Sequence, residues 1–253
     1  MDRFIYTALT GMNAAMDRQR AVANNLANAS TPGFRAEVFA VTSARLEQRG
    51  DGTVEARAMA RGNVRGADMA SGKVTPTGRP LDVAVAGKGL IAFQDPSGGP
   101  GAEVYSRRGD LRVGANGVIE NGEGLPVLGQ GGGPIGVPPG FAISIGADGT
   151  VLAADPAAPN VAAQVVDQIK LVSIEGTKII KSVDSFLRVP GGGALPPDPT
   201  ETLTIGAIEE SNVKTAETLV QMVDAQRAFE QRVRILSTAS ELDEAGTRLM
   251  SMR

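Results

Sequence analysis

Asn25-Leu26-Ala27-Asn28-Ala29-Ser30-Thr31-Pro32-Gly33-Phe34 closes an amphipathic segment that opens at Asp2, and the rest of the chain reads outward from it. Ahead of it, Ile5, Leu9, Met12, Met16, Gln19, Ala23 and Leu26 recur every three or four residues. This is the spacing of a helical seam of heptad type. Asp2 is a candidate N-cap, and the α region is disfavoured at Thr31 before Pro32, so the spacing predicts a helix that stops near Asn28 to Ser30. One seamed helix is marginal in water and needs a partner. The far end offers one. Ser211 or Asn212 is a candidate cap, Glu217 lies on the favourable side of the dipole, and Leu219, Met222, Gln226, Phe229, Val233 and Leu236 repeat the spacing. A second apolar row, Ile235, Ala239, Leu242 and Leu249, runs beside the first, and two adjoining rows let one helix meet more than one neighbour.

Composition narrows what lies between. The 253 residues include 32 Gly and 15 Pro but only 2 Tyr, 7 Phe and no Trp. Few large side chains and many turn formers predict β-structure with a thin core rather than a catalytic α/β fold. With no Cys and no His, thiolate metal sites, disulfides and most hydrolytic triads are excluded. A formal net charge of -3, mixed along the chain, argues against a nucleic-acid partner recognised through a basic field. No run is long and apolar enough for a membrane span, and the first residues lack the unbroken apolar stretch of a secretory signal. The expectation is a protein without a cleaved leader.

Residues 35–80 read as an extended connector. Ala36 to Leu46 alternates weakly, and Asp51-Gly52 invites a turn into Val54 to Met59, a possible hairpin. Residues 81–198 read as an all-β domain of short strands: Leu81 to Val85, Leu90 to Phe93, Val104-Tyr105, Leu111 to Val113, Val118-Ile119, Phe141 to Ile145 and Thr150 to Leu152. Asn116-Gly117 is the clearest hairpin signal, and Ile169 to Ile174 with Thr177 to Ile180 suggests a further pair about Glu175-Gly176. The Gly/Pro run from Gly191 to Pro199 is a boundary. Residues 199–210 read as a return connector in which Leu203 to Gly206 supplies a strand, and residues 211–253 as the second helix. The predicted fold is α+β: terminal helices (residues 1–34 and 211–253) forming an antiparallel coiled-coil-like pair, with an extended connector and an inserted all-β domain.

Sites for chemistry are weak. Gly131-Gly132-Gly133-Pro134-Ile135-Gly136 matches a dinucleotide-loop pattern, but Val137-Pro138-Pro139-Gly140 follows where a helix must open, so a turn is the better reading. Gly87-Lys88-Gly89 lacks the Lys-Ser/Thr of a phosphate loop. Asp82, Asp95, Glu103 and Asp110 offer carboxylate pairs for acid/base work, yet carboxylates beside turns are mostly surface groups. Lys181-Ser182 and Ser173 lack dyad spacing. The Asn28-Ala29-Ser30 sequon sits at a helix end and is read as chance. The expectation is no catalytic residue, no metal and no cofactor.

Asn25, Leu26, Ala27, Asn28, Thr31, Pro32, Gly33 and Phe34 resemble the signature that ends the first helix of bacterial flagellar rod and hook proteins. The resemblance continues through Arg79-Pro80-Leu81-Asp82-Val83-Ala84-Val85, through Tyr105-Ser106-Arg107-Arg108-Gly109-Asp110, and to Ser211, Asn212 and Val213, and spans essentially the whole chain. Met1 to Ala8 and Gly66-Ala67-Asp68-Met69 are similar to proximal rod members of that family, whereas Ala225 to Glu230 resembles the distal rod and hook members equally. The resemblance implies a non-enzymatic subunit of the basal body, exported by the flagellar type III apparatus with its N-terminus uncleaved. Its partners would be copies of itself and other rod proteins, with no nucleic acid and no membrane span. The implied assembly interface is the two seams: Ile5, Leu9, Met12, Met16, Gln19, Ala23 and Leu26, with Leu219, Met222, Gln226, Phe229, Val233, Leu236 and Leu242. Gln19 and Gln226 interrupt these seams and are candidates for fixing register. From the residues alone, a periplasmic glycan-binding β-module capped by its helices remains the alternative of another class.

Overall fold

A computed structural model of the chain describes residues 2–46, 57–99, 101–158, 160–182 and 184–251. The chain divides into two compact units, the first made of Met1–Ala27, Glu37–Gly66 and Lys214–Arg253, the second of Asn28–Ala36 and Ala67–Val213.

The first unit holds α1 (Asp2–Ala27), the hairpin of β1 (Glu37–Leu46) with β2 (Arg57–Ala67), and the long α2 (Thr215–Ser251). Helix α1 packs against both α2 and β1. It ends where Pro32 requires, the chain turning at Asn28 with the Thr31 N–H donating to the Asn28 carbonyl at 3.1 Å. The expected hairpin is present, but its turn at Asp51-Gly52 lies outside the described residues, as does Val54. Strand β2 runs on to Ala67, well past Met59. Its Arg57 to Ala67 sequence, interrupted by Gly62 and Gly66, has no period-2 alternation, so its extended form comes from pairing with β1 and was not visible in the residues.

The second unit is all β. In chain order its strands are β3 (Val74–Pro76), β4 (Val83–Val85), β5 (Leu90–Gln94), β6 (Glu103–Ser106), β7 (Leu111–Val113), β8 (Ile119–Asn121), β9 (Ala142–Ile145), β10 (Thr150–Ala154), β11 (Gln164–Gln168), β12 (Leu171–Val172), β13 (Ile180–Lys181), β14 (Leu187–Arg188), β15 (Leu203–Ile205) and β16 (Ala207–Glu209). A five-stranded sheet has the order β12-β5-β6-β14-β13, a three-stranded one β11-β10-β9, and β15-β4, β16-β3 and β7-β8 form two-stranded ribbons. The pairings are antiparallel.

Strand β5 explains how so few large side chains make a core. Ile91 and Phe93 point into one apolar cluster with Val83, Val104, Ile119 and Ile169, while Leu90 and Ala92 point into a second with Tyr105, Leu128, Val172 and Leu187. The uninterrupted run Leu90 to Phe93 is therefore a strand covered on both faces. Asn116-Gly117 turns the chain between β7 and β8 as its residue types demand. Gly117 takes a φ of 73°, which favours glycine, and the Asn116 side-chain oxygen accepts from the Val118 N–H at 3.2 Å.

Two pairing expectations are corrected. Ile169 to Ile174 and Thr177 to Ile180 do not form a hairpin about Glu175-Gly176. Strand β12 pairs with β5 and β13 with β14, at opposite edges of the five-stranded sheet, because long-range partners bury Leu171, Val172 and Leu187 better than a local turn does. Leu203 to Ile205 pairs with β4 rather than with the connector, and the following β16 is the strand that reaches the connector, at β3. Among the described residues, no helix is long and apolar enough to cross a membrane.

Candidate functional site

In the helical unit, the buried side of α1 is Gly11, Ala14, Ala15, Ala21, Val22 and Asn25. Small residues on the covered face let backbones approach closely, which heptad counting of large side chains does not register. The sequence-predicted seam lies beside that face: Met12, Gln19, Ala23 and Leu26 are half-buried, whereas Leu9 and Met16 are exposed at 38% and 37%. The side chain of Ile5 lies outside the described residues. On α2, Ala225 is buried and Met222, Phe229 and Leu236 are half-buried at the same helical period, while Leu219, Gln226, Val233 and Leu242 are exposed. Ala239 of the second row is half-buried, Ile235 is exposed, and the side chain of Leu249 lies outside the described residues. Val220 and Val223, which the sequence reading passed over, widen the open surface with exposures of 62% and 48%. Gln226 is engaged within its own helix, donating to Glu230 Oε1 at 3.2 Å.

The signature residues have separate tasks. In the helical unit the Asn25 amide pairs with the backbone of a single residue at the start of β1: its Oδ1 accepts from the Glu37 N–H at 2.7 Å and its Nδ2 donates to the Glu37 carbonyl at 3.1 Å. Leu26 is half-buried and Ala27 exposed as the helix ends. In the β unit, the Thr31 hydroxyl donates to Asn28 Oδ1 at 3.2 Å, half-buried Pro32 follows, and buried Phe34 lies beneath the Lys181 ammonium, 3.5 Å from the ring centroid. Gly33 adopts a φ of 66°, and any Cβ there would collide with the backbone of Arg107 and Arg108. Glycine is required at this position on both counts.

Next to the signature, Arg35 and Arg107 share one carboxylate. Arg35 Nη2 donates to Glu209 Oε1 at 2.8 Å and Arg107 Nη1 to Glu209 Oε2 at 2.9 Å, with side chains exposed by 3%, 2% and 1% respectively. Glu209 Oε1 also accepts from the Gly72 N–H at 2.6 Å, and the Glu209 carbonyl accepts from the Gly33 N–H at 2.7 Å. Arg107 further donates through Nε to the Gly89 carbonyl at 2.9 Å and through Nη2 to the Gly87 carbonyl. Burial pulls the Arg35 guanidinium below its ordinary value, and Glu209 pushes back up. The sequence reading missed this cluster, since residues 174 apart carry no local signal of contact.

Ser211 and Asn212 are the two candidate caps of α2, and Asn212 is engaged elsewhere. Its Oδ1 accepts from the Ala36 N–H at 2.7 Å, and its Nδ2 donates to the carbonyls of Asp68 and Ala70 at 2.9 Å each. Ser211 closes a local turn by accepting from the Val213 N–H at 3.2 Å, and α2 begins at Thr215. A side chain with one acceptor and two donors serves three backbone groups on two chain segments here, which outweighs one cap bond.

The carboxylates weighed for acid/base work are not loose surface groups. Asp82 is buried and accepts from Thr77 at 2.6 Å and Arg79 at 2.8 Å; Glu103 accepts from Lys170 at 2.6 Å and from the Tyr105 hydroxyl at 2.8 Å. Asp110 is held by Arg108 and Asp95 by Arg188. Each is matched to a cation and fixes a loop or strand. Burial pushes the Tyr105 hydroxyl up, and that hydroxyl accepts from the Leu195 N–H, pinning the Gly/Pro run. The Gly131 to Gly136 run is a turn, with the Gly129 N–H donating to the Gly133 carbonyl at 2.8 Å. No group of three or more acidic, His or Cys residues among the described residues is placed to hold a metal.

Comparison with known proteins matches three successive parts of the chain to family models: residues 5–35 to the flagella basal body rod protein, residues 84–153 to the flagellar hook protein FlgE/F/G D1 domain, and residues 205–249 to the flagellar basal body rod FlgEFG protein C-terminal region. The flagellar basal-body rod protein FlgF of Salmonella typhimurium is 37% identical over 258 residues, and that of Escherichia coli 35% over 258 residues, each covering 100% of both chains. The rod protein FlgG of Bacillus subtilis is 26% identical over 267 residues, covering 96% of this chain and 97% of that one. With full-length identity greatest to the FlgF relatives among these, and with first helix, β unit and last helix each matched, the chain belongs to the flagellar basal-body rod proteins, a family of structural subunits and not of enzymes.

Proposed function

We propose that this protein is a structural subunit of the proximal rod, joining copies of itself and neighbouring rod proteins through its terminal helices into a helical tube that transmits torque. The observation that carries the reading is the open apolar surface of α2: Leu219, Val220, Val223, Val233, Ile235 and Leu242 remain exposed after α1 has packed. Exposed apolar side chains gathered on one helix in this number suit an interaction surface. A heterologous contact repeated by a rotation that does not close builds a helical array. On this reading the two helices form an antiparallel coiled-coil-like pair, with the connector of residues 35–80, the β domain of residues 81–198 and the return of residues 199–210 inserted between residues 1–34 and 211–253. The subunit reaches the periplasmic rod through the flagellar type III export apparatus. Identities of 37% and 35% to two FlgF relatives, against 26% to a FlgG relative, support the proximal position.

Replacing Leu219, Val223 and Leu242 together by Glu tests the reading. The circular dichroism and thermal midpoint of the isolated chain should stay near wild type, while co-sedimentation with the other rod proteins and rod formation in cells are lost. A triple variant that still builds rods would overturn it.

A further inference from the structure

Helix α2 carries two rows of one spacing. Leu219, Val223, Gln226 and Val233 step by four, three and seven residues, and Ile235, Ala239, Leu242 and Leu249 repeat those steps, so the second row is the first moved sixteen residues along the chain. All of the first row is exposed, as are Ile235 and Leu242, while Ala239 is half-buried. At about 3.6 residues per turn, sixteen residues advance a helix by about 24 Å and turn it through about 160°. The rows therefore stand nearly back to back at different heights, on either side of the covered stripe Thr218, Met222, Ala225, Phe229 and Leu236.

Such an arrangement fits a second copy of the chain. An isologous contact would use one row and leave the other in water, whereas a heterologous contact uses both in every copy. Beside a parallel copy displaced by sixteen residues, Leu219 comes level with Ile235, Val223 with Ala239 and Gln226 with Leu242. Glu230, the charged position within the first row, comes level with Gly246, where no apolar side chain strips it of water. A slip of one heptad, to nine residues, would set Glu230 against Ala239 and leave Leu219 and Val223 facing no row.

We propose that the first row of α2 packs on the second row of α2 in a parallel neighbouring copy, displaced along the helix by about 24 Å. This contact rests on the helix-mediated assembly proposed above, and it fixes which surfaces meet and in what register. Because the rows fall about 20° short of facing opposite ways, the line of copies curves as it climbs.

The chain has no cysteine, so introduced thiols are its only ones. Leu219→Cys and Ile235→Cys in one chain lie too far apart along α2 to bridge within it, since a disulfide needs Cα atoms within about 7 Å. In rods built in cells from this double variant, oxidation should link copy to copy into a ladder of dimers and higher multiples, about tenfold stronger than from either single variant. Leu219→Cys with Leu242→Cys, one heptad out of register, should give no ladder. Equal ladders from the two pairs, linkage in the single variants, or rods without linkage overturn the register and leave assembly through the helices standing. A wild-type chain that builds no rod overturns both. Should the cysteine variants fail to assemble, electron cryomicroscopy of the wild-type rod decides from the displacement between neighbouring α2 helices. A value of about 20–28 Å along the helix supports the contact, and any other value overturns it.

Discussion

Glu209 is the residue on which the β unit's ends converge. It takes two arginines and the Gly72 amide on its carboxylate and the Gly33 amide on its carbonyl, so it ties Asn28–Ala36 to the connector and to the β6–β7 corner. A buried ion pair is weak evidence for stability by itself, but removing one partner leaves buried charge uncompensated. Glu209→Gln strands two guanidinium groups and should lower unfolding stability by about 3–5 kcal/mol, read as a fall in urea midpoint. A loss below 1 kcal/mol would mean that the arginines reach water when Glu209 is neutralised. The signature's Pro32 and Gly33 were legible as a helix stop, yet the reason glycine is needed was not. Only the packed chain brings the Arg107 backbone against Gly33.

At the level of elements, α1 shows why counting large apolar residues finds a helix but misassigns its covered face. Ala14, Ala15, Ala21 and Val22 are buried, while Met16 of the expected seam is exposed. Two substitutions one residue apart separate the roles. Ala15→Leu should destabilise the monomer by about 1–3 kcal/mol through overpacking. Met16→Ser should change it by less than about 0.5 kcal/mol in chemical denaturation, as exposed positions do. The reverse order would restore the large-residue seam as the covered face. The β elements divide the same way. Turn chemistry announced β7 and β8 around Asn116-Gly117, and apolar runs announced β5, β6 and β9. Strands β11, β14 and β16 carried no such signal, because Gln164 to Gln168 and Ala207 to Glu209 are extended through their partners and not through their own pattern.

For the whole molecule, charged loops are held by paired carboxylates, and this sets an acid limit. Arg188 donates to Asp95 at 2.8 and 3.0 Å and to Asp184 at 2.6 and 2.8 Å. The Arg188 hydrogen bonds hold the Asp95 carboxyl well below the usual carboxylate range. A depressed carboxyl contributes stability that is fully present above its unfolded value of about 3.9 and is lost as pH falls through the lower folded value. Wild type should therefore lose this contribution below about pH 4, whereas Arg188→Met, weaker at pH 7, should lose less on further acidification, so that the two urea midpoints converge toward about pH 2. A constant gap across that window would place the acid sensitivity elsewhere. The sequence by itself determined the local and compositional facts: terminal helices with apolar rows, a turn-rich β region between them, no histidine or cysteine chemistry, and a ten-residue signature specific enough to suggest the family. Periodicity, turn types and missing residue types are properties of neighbours along the chain. The tertiary structure alone decided which face of α1 is covered, which strands pair, and that Arg35, Arg107 and Glu209 meet, because those outcomes depend on burial and charge balance between residues that the sequence keeps far apart.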